Sequence, residues 1–412
     1  GNKTIDPAAA YRYAQGLPVV HPYHRARVQI STPLDFLVVS DHAEFLGVVR
    51  RVYEDGVPTD GLGGIDTLYA WLSAMVINIG IDTRWGPLIF GSRLPESETP
   101  RDAAERVAAE GFTLGGIPPL PELSADAWRE ITEAADASNK PGEFTALIGW
   151  EWSSNGGGAN LHRILITDSD GETARQYLPY SFLDSSFPED LWSWLDSTSA
   201  DTGADFIAIP HNSNISKGYM FANTNFRGEA ITADYAARRM RWERVAEITQ
   251  IKGDSETHTL FSPEDEFADF ENYPFYIQRK WTQYQTQPGD FVRPAIKRGL
   301  QLEQQLGQNP FQFGVIGSTD AHTALSSAEE DNFHGKMATD SIPGNKNRQF
   351  GKDGAPSSSG WAMSASGLAA VWARDNTRAA ILAALRQREV YASTGPRITV
   401  QFYGGYGFSE AN

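Results

Sequence analysis

The stretch GVIGSTDAHTAL (314–325) sets a short apolar run ahead of a Gly-Ser-Thr turn and then places Asp320 and His322 two positions apart. The segment DFLVVSDHAEFLG (35–47) repeats the plan, with Phe36 to Val39 apolar and Asp41, His42 and Glu44 behind them. A short apolar run closed by a turn reads as a buried strand. In both places an imidazole and a carboxylate therefore fall where a strand ends.

The same punctuation recurs along the chain. Candidate buried strands are Phe36–Val39, Ala146–Gly149, Ile164–Ile166, Phe206–Ile209, Val245–Ile251, Phe313–Ile316 and Leu368–Trp372. Helical patterns lie between many of them, at Pro100–Ala109, Ser124–Ala137, Pro188–Leu195 and Thr377–Arg388, the last with Asn376 or Thr377 as its cap. Strands alternating with helices predict an α/β fold on a mostly parallel sheet, and seven strands suit a barrel better than a small sandwich. Roughly residues 53–145, 212–300 and 325–366 read as large insertions in a single domain spanning 1–412; the third contains the polar loop DSIPGNKNRQFGKDGAPSSSG (340–360).

Composition narrows the chemistry. A net charge of −17 with no run of Lys or Arg argues against nucleic acid and anionic membranes, which need a basic footprint. No apolar stretch is long enough to span a membrane. The chain has no cysteine, which excludes disulfides, thiolate nucleophiles and Cys-based zinc sites. A metal would have to be held by histidine and carboxylate. No Gly-x-Ser-x-Gly elbow is present, so a serine hydrolase is disfavoured.

The strand ends supply such ligands. Glu151 follows Ala146–Gly149, and Pro210 and His211 follow Phe206–Ile209. His162, in GGGANLHRILIT, stands before its strand instead. In a parallel barrel the C-terminal strand ends converge on one face, and imidazoles with carboxylates form a donor set for Zn, Mn or Fe. Each residue also has a plainer reading. A single histidine after a strand is commonly a hydrogen-bonded structural residue, and Asp41, Asp320 and Ser318 could cap helices. The joint pattern outweighs these readings, because His42, His162, His211, His322 and, with less weight, His258 lie in or near such turns. His21, His24 and His334 read as structural. Arg163, directly after His162, is a candidate partner for an anionic substrate oxygen, since a guanidinium offers a two-pronged donor.

The segments LDFLVVSDHAE, GWEWS, NLHRILI, IPHN, NPFQFGVIGSTDAH and EEDNFHGK, in that order, resemble the DUF3604 family. That family in turn resembles the polymerase-and-histidinol-phosphatase (PHP) metal hydrolases. The resemblance implies a distorted (β/α)7 PHP-like barrel with two or three divalent metal ions at its mouth. It further implies Glu151 as a bridging carboxylate and His162 and His211 as ligands of a second metal. Asp320 would bind the first metal, and His42 and His322 an outer one, with Asp41 a further candidate beside His42. PHP proteins open on a strand with a His-x-His pair that this sequence lacks, so a segment of about 15 to 30 residues bearing one is expected before Gly1.

These readings lead to a metal-dependent hydrolase using a metal-activated water, most simply a phosphoesterase acting on a small anionic substrate. Glu151, Asp320 and Arg163 are the expected catalytic residues. Alternatives on the same site are hydrolysis of another ester, a sulfate ester or an amide. A non-catalytic metal- or glycan-binding module is the alternative from a different class. The resemblance leans toward a periplasmic or secreted protein, with a cytoplasmic one as the alternative.

Overall fold

The computed structural model describes residues 5–56, short pieces of 63–78, and 99–114, 119–278, 281–347, 358–363 and 366–407. Much of the polar loop expected at 340–360, residues 348–357, lies outside the described residues, as do residues 79–98 of the first insertion.

The strands, in chain order, are β1 (Val19–Val20), β2 (Arg27–Val28), β3 (Phe36–Val39), β4 (Thr145–Trp152), β5 (Arg163–Thr167), β6 (Phe206–Pro210), β7 (Val245–Gln250), β8 (Gly253–Asp254), β9 (Gly314–Gly317), β10 (Leu368–Val371) and β11 (Val390–Ser393). The expected (β/α)7 barrel is corrected by their pairing. Among the described residues they form four small sheets, β1-β2, β3-β4-β5-β6, β8-β7-β9 and β10-β11, and no ladder closes them into a ring. Nor is the sheet mostly parallel. β3 and β4 run parallel, but β5 runs antiparallel to both β4 and β6.

The cause is local. Only residues 153–162 join β4 to β5, and a crossover returning a strand in parallel needs about a dozen residues or more. Long helical connections do produce parallel neighbours elsewhere. Helices Pro100–Glu110 and Pro121–Ser138 lie between β3 and β4, and helix Val292–Leu306 lies between the parallel pair β7 and β9.

Alternation along the strands sends side chains into two cores. Ala146, Ile148, Trp150, Trp152, Leu165, Phe206, Ala208, Ala246 and Ile248 pack against the helices, meeting Trp128, Leu191, Trp192 and Trp242. The alternate residues Leu147, Ile166, Ile207, Ile209, Val245 and Ile316 face inward, where Ile381, Leu382 and Leu385 of helix Arg378–Gln387 join them. Thr377 caps that helix, its hydroxyl accepting from the Ala380 amide. Gly149 is required in β4, because a Cβ there would lie 2.4 Å from the Leu165 carbonyl oxygen. Beyond the inner core opens a cavity of about 2220 Å3, walled by β3, the inner strand residues and segments of the loops.

Candidate metal centre

The strand ends do meet in this cavity. Glu151 alternates with Trp150 and Trp152, so both indoles enter the helix-covered core while the carboxylate turns to the cavity wall. Trp150 meets Trp128 edge-on at 5.7 Å between ring centroids. His211 follows β6 directly. His162 precedes β5, and because β5 is reversed its beginning lies where β4 and β6 finish. The register pairs Arg163 with both Trp152 and Pro210, and the His211 amide donates to the His162 carbonyl at 3.3 Å.

Glu151, His162 and His211 are all buried, and one ligand atom from each lies within 4.8 Å of the others. His162 Nδ1 is 2.6 Å and His211 Nε2 3.3 Å from Glu151 Oε1. The other nitrogens, His162 Nε2 and His211 Nδ1, are buried without a hydrogen-bond partner. This group could hold a metal ion. Burial alone would raise the Glu151 carboxyl, yet His42 and His211, with the hydrogen bond from His162, hold it well below the usual carboxylate range. Burial pushes His162 down to about 4, against the pull of Glu151. At His211 the same desolvation is outweighed by Glu151, Glu247 and Asp320, which leave its pKa raised. An anionic carboxylate and imidazoles under negative potential make a site that attracts a cation.

The other expected ligands stand around this trio. His42 Nδ1 is 3.8 Å from Glu151 Oε1 and 3.7 Å from Glu44 Oε2, and it shares a hydrogen bond with the Ser153 hydroxyl. Asp41 borders the cavity, and its backbone carbonyl accepts from the Glu151 amide at 2.9 Å. His322 lies 6.0 Å from His42 between ring centroids, with Nε2 3.6 Å from Asp320 Oδ1. Asp320 is engaged differently from the trio. Lys336 Nζ is 2.7 Å from its Oδ1, Lys252 Nζ contacts its Oδ2, and the Gln250 side-chain amide donates to Oδ2 at 2.9 Å. Burial would raise this carboxyl as well, but the two ammonium groups hold it far below its ordinary value. Its backbone is left-handed, φ 48°, a conformation that Asp tolerates better than most residues. Nearby, Glu247 of β7 accepts from the Asn212 amide at 3.1 Å and from the Ser318 hydroxyl.

Residues 1–412 match a family model described as "Protein of unknown function (DUF3604)". The chain belongs to the DUF3604 family. No curated protein and no solved structure matches it.

In this DUF3604 protein Arg163 does not reach the cavity, which corrects its reading as a substrate contact. Ile164 and Ile166 line the cavity, so strand alternation turns Arg163 the other way. Its Nε bonds Glu243 Oε1 at 3.0 Å, it also donates to the Leu161 carbonyl, and its guanidinium lies over the Trp152 ring. His258 is likewise apart, beside Phe261 and Phe291. His21, His24 and His334 gather elsewhere, with His21 and His24 stacked at 3.8 Å and His334 5.3 Å from His21.

Three buried residues of the site escaped the sequence reading: Glu247, Lys252 and Lys336. A signal for the first two was present. In VAEITQIK (245–252) a carboxylate interrupts an apolar strand and a lysine closes it, and a strand buried on both faces rarely carries charge without a use. No helix among the described residues is long and apolar enough to cross a membrane.

Proposed function

We propose that this DUF3604 protein is a metal-dependent hydrolase, most simply a phosphoesterase. The observation that carries the reading is the buried trio of Glu151, His162 and His211 in the wall of the large cavity. Two imidazoles and one carboxylate match a donor set of catalytic zinc sites, which keep a further position for water or substrate. A divalent ion bound there supplies an activated water and a Lewis acid for the substrate oxygen under attack.

The chain's own residues prepare that chemistry. Glu151 brings the only negative charge of the trio. Hydrogen bonding fixes His42 against Ser153, beside Glu151, where it helps to keep that carboxylate ionised. The DUF3604 motif order, with its resemblance to PHP metal hydrolases, supports the same reaction class.

The test is to measure bound metal after loading with Zn, Mn or Fe, then to assay aryl phosphate mono-, di- and triesters, aryl sulfates and amides. Turnover of phosphate esters should disappear with a chelator and return with the ion. Stoichiometric metal without turnover of any substrate would refute the hydrolase and favour a binding module.

A further inference from the structure

Lining the same cavity near the trio is a second charged cluster that the proposed reaction has not used. Lys252 and Lys336 line the cavity, yet they are only 7% and 3% exposed. Buried ammonium groups are uncommon unless paired. Here two of them share one partner, Asp320, whose two carboxylate oxygens each take one lysine. Asp320 keeps Lys252 raised, whereas burial, against the pull of Asp320, lowers Lys336 to about 7, so near neutral pH the cluster carries more positive than negative charge without both lysines being fully charged.

Its hydrogen bonding is also incomplete. An ammonium has three N–H donors. Among the described residues, Lys336 donates to the Asp320 backbone carbonyl and forms an ion pair with its Oδ1, and Lys252 donates to Oδ2. Among the described residues, donor capacity on the lysines is left over for an acceptor in the cavity. Glu151 acts electrostatically on both ammonium groups, so they lie close to the trio.

Asp320 is consequently a poor ligand for a divalent ion. Both its oxygens are engaged by lysine amines, and an ion there would sit beside like charge. The cluster suits an anion.

We propose that Lys252 and Lys336, positioned by Asp320, form an oxyanion subsite that binds the charged group of the substrate and takes the place of a second metal ion. The centre then holds one ion per chain, at Glu151, His162 and His211. A substrate with a tetrahedral oxyanion, such as a phosphate or sulfate ester, can direct one oxygen to the trio and others to the lysines. A neutral amide or carboxylic ester leaves the lysine donors unmatched and is discriminated against. This inference rests on the hydrolase reading for its substrate class, whereas the anion subsite itself is tested without turnover.

The experiment combines metal analysis with calorimetric titration of metal-loaded protein by inorganic phosphate and, separately, sulfate. One ion per chain is expected in the wild type and in Lys252→Met and Lys336→Met. Each variant should bind the favoured oxyanion at least about tenfold more weakly, the worth of a hydrogen bond to a charged group. Comparing phosphate with sulfate identifies the preferred oxyanion. Two or more ions per chain, or unchanged oxyanion affinity in both variants, would overturn the proposal.

Should the variants fail to fold, the wild type answers through amine-selective labelling read by mass spectrometry. Phosphate or sulfate should protect Lys252 and Lys336 from modification, and no protection by either overturns the subsite. Intact oxyanion binding with no hydrolysis of any ester would instead sink the hydrolase reading and leave the subsite standing.

Discussion

Acid should loosen this protein at a place remote from the proposed centre. His21 is fully buried and His334 nearly so. His21 Nδ1 accepts from the amides of Tyr23 and His24, which requires a neutral ring. Burial, followed by the neighbouring His24 and His334, lowers His21 to about 3. Burial and His24 lower His334 to about 4, with Glu329 opposing them. Tyr13 meets His334 edge-on and adds no charge of its own.

A lowered histidine pKa means that the unfolded chain takes up the proton first. The stability is complete above the unfolded value of about 6.5 and is lost as pH falls through the folded values. At about pH 5 the gap from 6.5 is about 1.5 units, and at about 1.36 kcal/mol per unit each histidine costs about 2 kcal/mol. Together they remove about 4 kcal/mol from a total that is typically about 5–15 kcal/mol.

The assay is denaturant unfolding at about pH 7.5 and about pH 5, on the wild type and His21→Asn, where the Asn oxygen can still accept the two amides. The variant should lose about 2 kcal/mol less on acidification. Parallel losses in the two proteins would show that His21 does not titrate in this way.

Glu151→Gln keeps shape while removing the charge of the trio, so bound metal should fall at least about tenfold with the circular dichroism spectrum unchanged; near-normal occupancy would remove Glu151 from the centre. Glu243→Gln leaves Arg163 and Arg239 buried without their shared carboxylate. It should cost about 3–5 kcal/mol while metal content holds, and loss of metal at unchanged stability would contradict that structural role. Asp320→Ala strands two ammonium groups and should destabilise by a similar few kcal/mol with metal stoichiometry intact, while the exposed Asp35→Ala stays within about 0.5 kcal/mol. Equal effects of the two substitutions would mean that the Lys252–Asp320–Lys336 cluster carries no weight in folding.

The sequence announced the site better than the architecture. Each expected strand exists near its expected place, and the residues Glu151, His162 and His211, found by asking what borders an apolar run, come together. Strand direction was beyond reach, because an apolar run looks the same in either sense. The same blindness misplaced Arg163. Its neighbour His162 lies in the site, but the first residue of β5 turns to the opposite face. β11 escaped because VYAS is short and weakly patterned. Lys336 escaped for another reason. It comes from a polar loop and meets Asp320 only through the tertiary fold, a pairing that no local spacing records.

The reversal of β5 has a consequence for how such a centre can diversify. Its three members sit at the ends of adjoining strands of one sheet, and their spacing is set by backbone hydrogen bonds between neighbours. Loops that line the cavity are attached outside that sheet. Tyr273, Phe275 and Tyr276, for instance, reach the cavity from the segment between β8 and β9. Lengthening or rewriting such a loop leaves the ligand spacing untouched. On the proposed hydrolase reading, substrate preference and metal affinity can therefore vary independently among relatives, and a loop exchanged between two of them should transfer the first without disturbing the second.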